Sequence, residues 1–577
     1  MHQDVVRLIE QNHVAMAGLF RRPTRLLTVV AAIALLYVLV IFLPKPKQDY
    51  YGFQYFRSSF DWSTVPERNP VVKLTPLPRG SPKRLPKFQH DFASDKAPSR
   101  ERLDVLESRR SEIRLAFVKS WNSYKKYAWM YDELTPVSGE GKDTFGGWAA
   151  TLVDTLDTLW IMELSDEFRH AAAAAVTLDW SKTRDTSCNF FETTIRHLGG
   201  LLSAYDLSKE TALLEKAIEL GDMLYTGYDT DNRMPPLLPG LRPREGGAAG
   251  ARHPRPLTGQ DKYYDAIDRV ARALEQTQNS TKLPGMWPTF LNMRNLDFSG
   301  QRSFTLGGLA DSLYEYLPKM FAMVGGLEPM YEKMYRDSMD AVTKHLLFRP
   351  MTPDQDDILF TGTVYVSSQD GPELEAEGQH LGCFVGGMFA LGGKLFNIPE
   401  HLKYAEKIAR GCAWAYNAFP SGIMPETFTL YPCPSLEPCP WEEDLWIATG
   451  DKRFPKGFKN VMDPKYILRP EAIESLFFMY RMTGNVEYQE MAWRMFQSIR
   501  KATETKLAFS AIADATLPKG QKTVKQDSME SFWTSETLKY FYLIFSPPDL
   551  IDLDKYVLNT EAHPFLRPIE HGFFSYT

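Results

Sequence analysis

The residues of this chain whose types and spacing can do chemistry are carboxylates standing inside apolar runs. Asp154 and Asp157 lie in LVDTLDTLW, Glu192 in NFFETTIRHLGG, Asp311 and Glu315 in GGLADSLYEYL, Glu471 and Glu474 in ILRPEAIESLF, Glu530 and Glu536 in SMESFWTSETLKYFY, and Glu561 in LNTEAHP. An ionised side chain in such surroundings is costly unless it is paired, bound to a metal or set in the wall of a polar pocket. Individual members can serve as helix N-caps or as partners of Arg196, Arg469 and Lys539. Six clusters, each beside glycine, proline or aromatics, exceed what capping needs.

The elements that must position these acids are helices. From about Leu103 onward an amphipathic helix, a short turn and another helix recur, as in 198–224, 309–342, 386–416 and 474–499, with turns near Ser208, Gly326, Asn397 and Asn485. In each pair the first helix is nearly apolar with occasional carboxylates, and the second carries Lys and Glu on one face. That asymmetry predicts two concentric layers, an inner ring buried on both sides and an outer ring facing water, so an α/α barrel is expected. A stacked solenoid is the alternative. Acids at the ends of apolar helices make more sense converging in a barrel mouth.

Read together, the segments LVDTLDTLWIM, FETTIRHLGGLLSAY, GGLADSLYEYL, HLGCF, YILRPEAIESLFFMYRMTG, MESFWTSETLKYFYLIFS and VLNTEAHPF resemble the class I α-mannosidases, glycoside hydrolase family 47. The resemblance implies an all-α (αα)7 barrel, a calcium ion at its base and inverting hydrolysis of α-1,2-linked mannose on high-mannose N-glycans. Residue by residue, Glu192 resembles the general acid, Glu471 the general base and Asp311 a third essential carboxylate, an alternative acid or an electrostatic partner. An inverting glycosidase needs an acid and a base roughly 6.5–9.5 Å apart, leaving room for the attacking water. Thr560 matches a threonine that ligates calcium directly, with Glu474, Glu530, Glu536 and Glu561 holding waters around it. Phe532 resembles the aromatic under the terminal sugar, and Arg196 and His380 resemble residues lining the pocket. The resemblance also implies a Cys383–Cys412 disulfide; Cys433 and Cys439 flank a loop that a second bridge can close, leaving Cys188 unpaired.

Two positions depart from the family pattern. Leu309 stands in GGLADS where enzymes that remove one particular mannose carry Arg, which favours Golgi-type trimming of several mannoses. The Pro-, Gly- and Arg-rich run 235–256 is longer than the usual loop near the mouth and reads as an insertion. The alternative function is a lectin-like quality-control member that binds glycans with little turnover.

Composition sets the frame. A chain of 577 residues with 44% hydrophobic and 24% charged residues is globular, and a formal charge of −6 excludes the basic field that nucleic-acid binding needs. Leu26 to Leu43 is an uncharged apolar run preceded by Arg21, Arg22 and Arg25, which predicts a retained transmembrane signal anchor. The expected organisation is therefore a cytosolic tail (1–25), the anchor (26–43), a Pro-rich stem (44–102) and a lumenal barrel (103–577) in the endoplasmic reticulum or Golgi membrane. The aromatic cluster from Tyr50 to Phe56 can face either the membrane or the barrel.

Overall fold

The computed structural model describes residues 52–185, 188–235, 260–367 and 371–568. The expected tail and anchor, and almost all of the 235–256 insertion, lie outside them. No helix among the described residues is long and apolar enough to cross a membrane.

Helices come in buried–amphipathic pairs, as the sequence predicts. The buried members are α2 (Ala150–Asp154) with α3 (Leu156–Ile161), α5 (Gly199–Ser208), α8 (Asp311–Met323), α10 (Val385–Leu395), α12 (Glu471–Thr483) and α14 (Leu538–Ile544). The half-exposed members are α1 (Arg100–Tyr127), α4 (Ser165–Ala175), α6 (Thr211–Tyr225), α7 (Asp261–Thr277), α9 (Met330–His345), α11 (Pro399–Ala418) and α13 (Glu487–Thr503). The inner helices approach closely because small residues let them. A Cβ on Gly200 of α5 would lie 2.5 Å from the Val153 carbonyl of α2, and one on Gly387 of α10 would lie 2.9 Å from the Phe478 ring of α12.

Among the described residues seven amphipathic helices surround six buried ones, α2 and α3 forming a single broken stave. Residues 236–259, between α6 and α7, lie outside the described residues. The sequence there, from Pro235 to Gln260, is a run of Pro, Gly and Arg with no apolar helical period.

Short strands finish the barrel. β1 (Glu377–Gln379), β2 (Thr427–Leu430) and β3 (Phe458–Asp463) form a sheet in the order β3-β2-β1, and β1 delivers the chain into His380. β4 (Tyr556–Leu558) pairs antiparallel with β5 (Pro564–Leu566), and their hairpin tip, residues 559–563, enters the interior. There Asn559 Nδ2 donates to the Ile195 carbonyl, Thr560 meets Ser312 of α8, and Lys539 of α14 donates to the Ala562 carbonyl.

The expected stem is part of this body. The compact unit that holds the barrel begins at Phe53, not near residue 103. Residues 53–99 have almost no regular structure, so their backbone N–H groups need partners, and carboxylates on the barrel supply them. Ser58 N donates to Glu219 (2.5 Å), Arg68 N and Asn69 N to Asp229 (both 2.7 Å), Thr75 N to Asp265 (2.7 Å) and Phe88 N to Asp554 (2.6 Å). His90 N reaches the Arg481 carbonyl, and Arg481, wholly buried, spends its guanidinium on Gln89 and on the carbonyls of Leu543, Pro548, Leu550 and Ile551. The segment is a belt around the barrel. Phe53 and Tyr55 pack on it, which settles for these two residues the direction the sequence left open.

Candidate active site

Because inner and outer helices alternate, the first turns of the inner helices gather at one end of the barrel. Asp311 opens α8, Glu471 opens α12, and Glu474 follows in the same turn. A helix N-terminus is a favourable place for a carboxylate, since unpaired N–H groups point toward it. Glu192 ends the short turn Phe190–Glu192, capped by Asn189, and the next six residues (Thr193–Leu198) form a π-helical segment that turns Arg196 back onto it. A second π-helical segment, Trp533–Thr537, carries Glu536. Such wide turns re-aim side chains and recur at functional sites.

Arg196 is the hub of one half of the site. It is 5% exposed, and its guanidinium meets Glu192 (Nε to Oε2, 2.6 Å), Ser531 (Nη1 to Oγ, 2.7 Å) and Glu530 (Nη2 to Oε2, 3.5 Å). Nη1 also lies 2.8 Å from Glu561 Oε1, an ion pair out of hydrogen-bond alignment that leaves this buried oxygen without a hydrogen bond. Burial alone would lower the guanidinium's affinity for its proton; Glu192, Glu561, Glu530 and Asp154 raise it well above the ordinary arginine value. Each guanidinium nitrogen thus meets a protein partner.

The other half is built on Glu471. His380 Nδ1 lies 2.8 Å from Glu471 Oε2, and His380 Nε2 lies 2.7 Å from the Tyr416 hydroxyl. The tautomer that satisfies both has Nδ1–H donating to the carboxylate and Nε2 accepting from tyrosine. His380 is fully buried, and its two ring nitrogens meet Glu471 and Tyr416. Arg469 Nη1 adds positive charge 3.6 Å from Glu471 Oε1. Burial pushes the Glu471 carboxyl up, but His380 and Arg469 more than offset it and hold the group below the usual glutamate range. Asp311 goes the other way. Burial first, then Glu315 and Glu471, push it up to about 7 against a hydrogen bond from Ser312 N–H.

The deepest carboxylates are the most crowded. Burial and Glu315 push Glu474 up to about 8, although Lys319 Nζ is 3.7 Å away. Glu536 is raised well above its ordinary value by burial and by Glu561, Glu471, Glu474 and Asp154, and it has no hydrogen-bond or ion-pair partner among the described residues. Glu561 is raised by burial and by Asp154, Glu192 and Glu530, against Arg196. Each of these acids feels the next, so Glu192, Asp311 and Glu471 belong to one electrostatic field.

Such crowding is what a cation relieves. Among the described residues no group of three or more His, Cys, Asp or Glu is gathered closely enough to hold a metal directly. Carboxylates that reach a cation through water do not need to be. Thr560 sits at the hairpin tip between them, its hydroxyl 3.1 Å from Ser312 Oγ and its N–H 3.4 Å from the Tyr316 hydroxyl. The residues present therefore fit a hard cation with oxygen ligands. Below, His563 is clamped between Asp157 (2.8 Å) and Asp154 (3.0 Å) with Lys539 on Asp157 at 2.9 Å, all fully buried, and this lock holds the loop that carries Thr560 and Glu561.

The family model for glycosyl hydrolase family 47 matches residues 116–253 and 255–567. The chain belongs to this family. A mannosyl-oligosaccharide 1,2-alpha-mannosidase of Arabidopsis thaliana is 35% identical over 486 residues, covering 80% of this chain and 79% of that protein. The human endoplasmic reticulum mannosyl-oligosaccharide 1,2-alpha-mannosidase is 34% identical over 475 residues, 78% of this chain and 62% of its own length. The solved alpha-1,2-mannosidase from Trichoderma reesei superposes with a TM-score of 0.70 at 29% identity, covering 80% of this chain and 99% of that one.

The remaining expectations fall as follows. Phe532 is 5% exposed, with its ring 5.6 Å from the Arg196 guanidinium carbon. Leu309 is 76% exposed at φ +75°, a conformation leucine adopts at a cost, two residues from Asp311. Cys383–Cys412 and Cys433–Cys439 are disulfides, and Cys188 is free. Reading the sequence for acids in apolar runs misses Glu133, 2% exposed, which Glu530 and Arg196 both influence. It sits in the polar stretch YDELTP and carries no such signal.

Proposed function

We propose that the chain is an inverting α-1,2-mannosidase that removes terminal mannose from high-mannose N-glycans in the secretory pathway. Family membership and the names of the relatives support the reaction class, and the two disulfides suit an oxidising lumen. One observation carries the mechanism: two carboxyls in one field have their proton affinities driven apart, Glu471 down and Asp311 up to about 7.

Glu471 is the general base. Ionised throughout the neutral range and oriented by His380, it takes a proton from the attacking water on one face of the sugar. Asp311 is the proton donor to the leaving oxygen, because it still holds a proton near neutrality. Glu192, which resembles the family's acid, is oriented by its 2.6 Å contact with Arg196 and stands as the alternative proton donor. Thr560 would hold a calcium ion directly, and Glu474, Glu530, Glu536 and Glu561 would hold its waters. When bound, the ion supplies positive charge that lets these acids ionise together and an oxygen-coordinating centre for sugar hydroxyls. Phe532 offers an apolar face to the sugar ring, and Leu309, lacking a cationic head, favours trimming of several mannoses. The apolar run 26–43 anchors the protein, with the barrel in the lumen of the Golgi or endoplasmic reticulum.

The pH dependence of kcat on a nine-mannose glycan tests the assignment. Activity should fall as pH rises through about 7, where Asp311 loses its proton, and should fall again at acidic pH, below the ordinary glutamate range, as Glu471 gains one. Asp311→Asn should remove the alkaline limb, while Glu192→Gln should lower kcat and keep it. The converse, a limb that survives in Asp311→Asn and disappears in Glu192→Gln, returns the acid role to Glu192.

A further inference from the structure

The Arg196 hub raises a question that its carboxylate partners do not answer. Four acids lie around the guanidinium, at 2.6, 2.8, 3.5 and 3.8 Å, and they compete for its edge. What fixes the tilt of the plane, and so which carboxylate each N–H meets, is whatever touches its face. The nearest aromatic there is Phe145, with its ring centroid 4.6 Å from the guanidinium carbon, closer than Phe532 at 5.6 Å.

Phe145 is held by a device of its own. Asp132, fully buried, accepts four backbone N–H groups from the loop that carries Phe145: Thr144 (3.0 Å), Phe145 (2.7 Å), Gly147 (2.8 Å) and Ala150 (3.0 Å). Gly146 and Gly147 take φ of +91° and +75°, which lets the loop curl around one carboxylate. The neighbouring Glu133 accepts the Thr144 hydroxyl at 2.5 Å. A carboxylate with this many N–H donors is a strong fixed point.

We propose that Asp132 and Phe145 are positioning residues: the Asp132 carboxylate folds the 144–150 loop so that the Phe145 ring lies against Arg196 and fixes where Glu192 and Glu561 place their carboxyl groups. The inference rests on the reading above, in which Glu192 acts in the reaction. Its lever is an aromatic face on a desolvated cation, so an aliphatic side chain of similar volume should not replace it.

Phe145→Leu, Phe145→Tyr, Asp132→Asn and the double variant Asp132→Asn/Phe145→Leu should be assayed in the full chain with a nine-mannose glycan, with melting temperature followed in parallel. Phe145→Leu should lose at least about tenfold in kcat with KM changed by less than about twofold, and Phe145→Tyr should stay within about twofold of the parent. Asp132→Asn should show the same split, and the double variant should be no worse than the weaker single, because both act through one contact. If Phe145→Leu does not fold, Phe145→Met carries the same comparison. Parental kcat in the aliphatic variant overturns the proposal. So does a loss confined to KM, which would make Phe145 a sugar contact, and so does additivity in the double variant. Glu192→Gln separates the two levels: full activity there refutes the reading of the site itself, whatever Phe145 does.

Discussion

A barrel that starts at Arg100, where the first long helix begins, should be markedly less stable than one that starts at Phe53. The belt is bound through backbone N–H groups to carboxylates on α6, on α7 and just before β4, and removing it leaves Glu219 (7% exposed) and Asp265 (1% exposed) short of donors. A single substitution reads the same effect on a smaller scale. Phe88 is 1% exposed, and its ring lies 4.7 Å from the guanidinium carbon of Arg567, itself 9% exposed. Truncating a buried phenylalanine to alanine costs about 3–5 kcal/mol. In a domain this long each kcal/mol moves the apparent melting temperature by roughly 1–2 °C, by extension from smaller domains, so Phe88→Ala in the Phe53-start protein should melt about 3–10 °C lower. The full deletion should lower it by more, or prevent soluble accumulation. The assay is thermal melting of the lumenal portion, with mannose release as a check on the fold. Equal melting temperatures and equal activity for proteins starting at Phe53 and Arg100 would refute the claim that the belt is part of the barrel.

Two further outcomes are expected. Chelation of divalent cations should abolish mannose release and lower the melting temperature, because Glu474, Glu536 and Glu561 are then left crowded without a counter-ion; added Ca²⁺ should restore both, and Thr560→Ala should need more Ca²⁺ for the same rescue. Activity indifferent to chelation argues against the metal. Leu309→Arg should narrow the set of mannoses removed from a nine-mannose glycan by adding a donor fork at the exposed rim, seen as fewer product species at equal total turnover; an unchanged product ladder would show that this side chain does not select among branches.

Much of the site is legible in the sequence because its signal is local. A carboxylate inside an apolar run is conspicuous wherever it occurs, so Glu192, Asp311, Glu471, Glu474, Glu536 and Glu561 stand out before any coordinates exist. The layered barrel is legible for the same reason: burial on one face or on all faces writes itself into helical period.

Only the tertiary structure decides how each group is occupied. The sequence marks Arg196 and His380 only as residues of a pocket, and folding gives them their partners, Glu192, Ser531 and Glu530 for one and Glu471 and Tyr416 for the other, all distant in the chain except Glu192. The opposite proton affinities of Asp311 and Glu471, each the first residue of an inner helix, come from neighbours that no linear pattern shows. The belt reads as a linker because its sequence is Pro-rich and aperiodic, while the carboxylates that hold it lie more than a hundred residues away. Residue type and period are properties of the chain, whereas the charge state and free valence of a buried group depend on what folding places beside it.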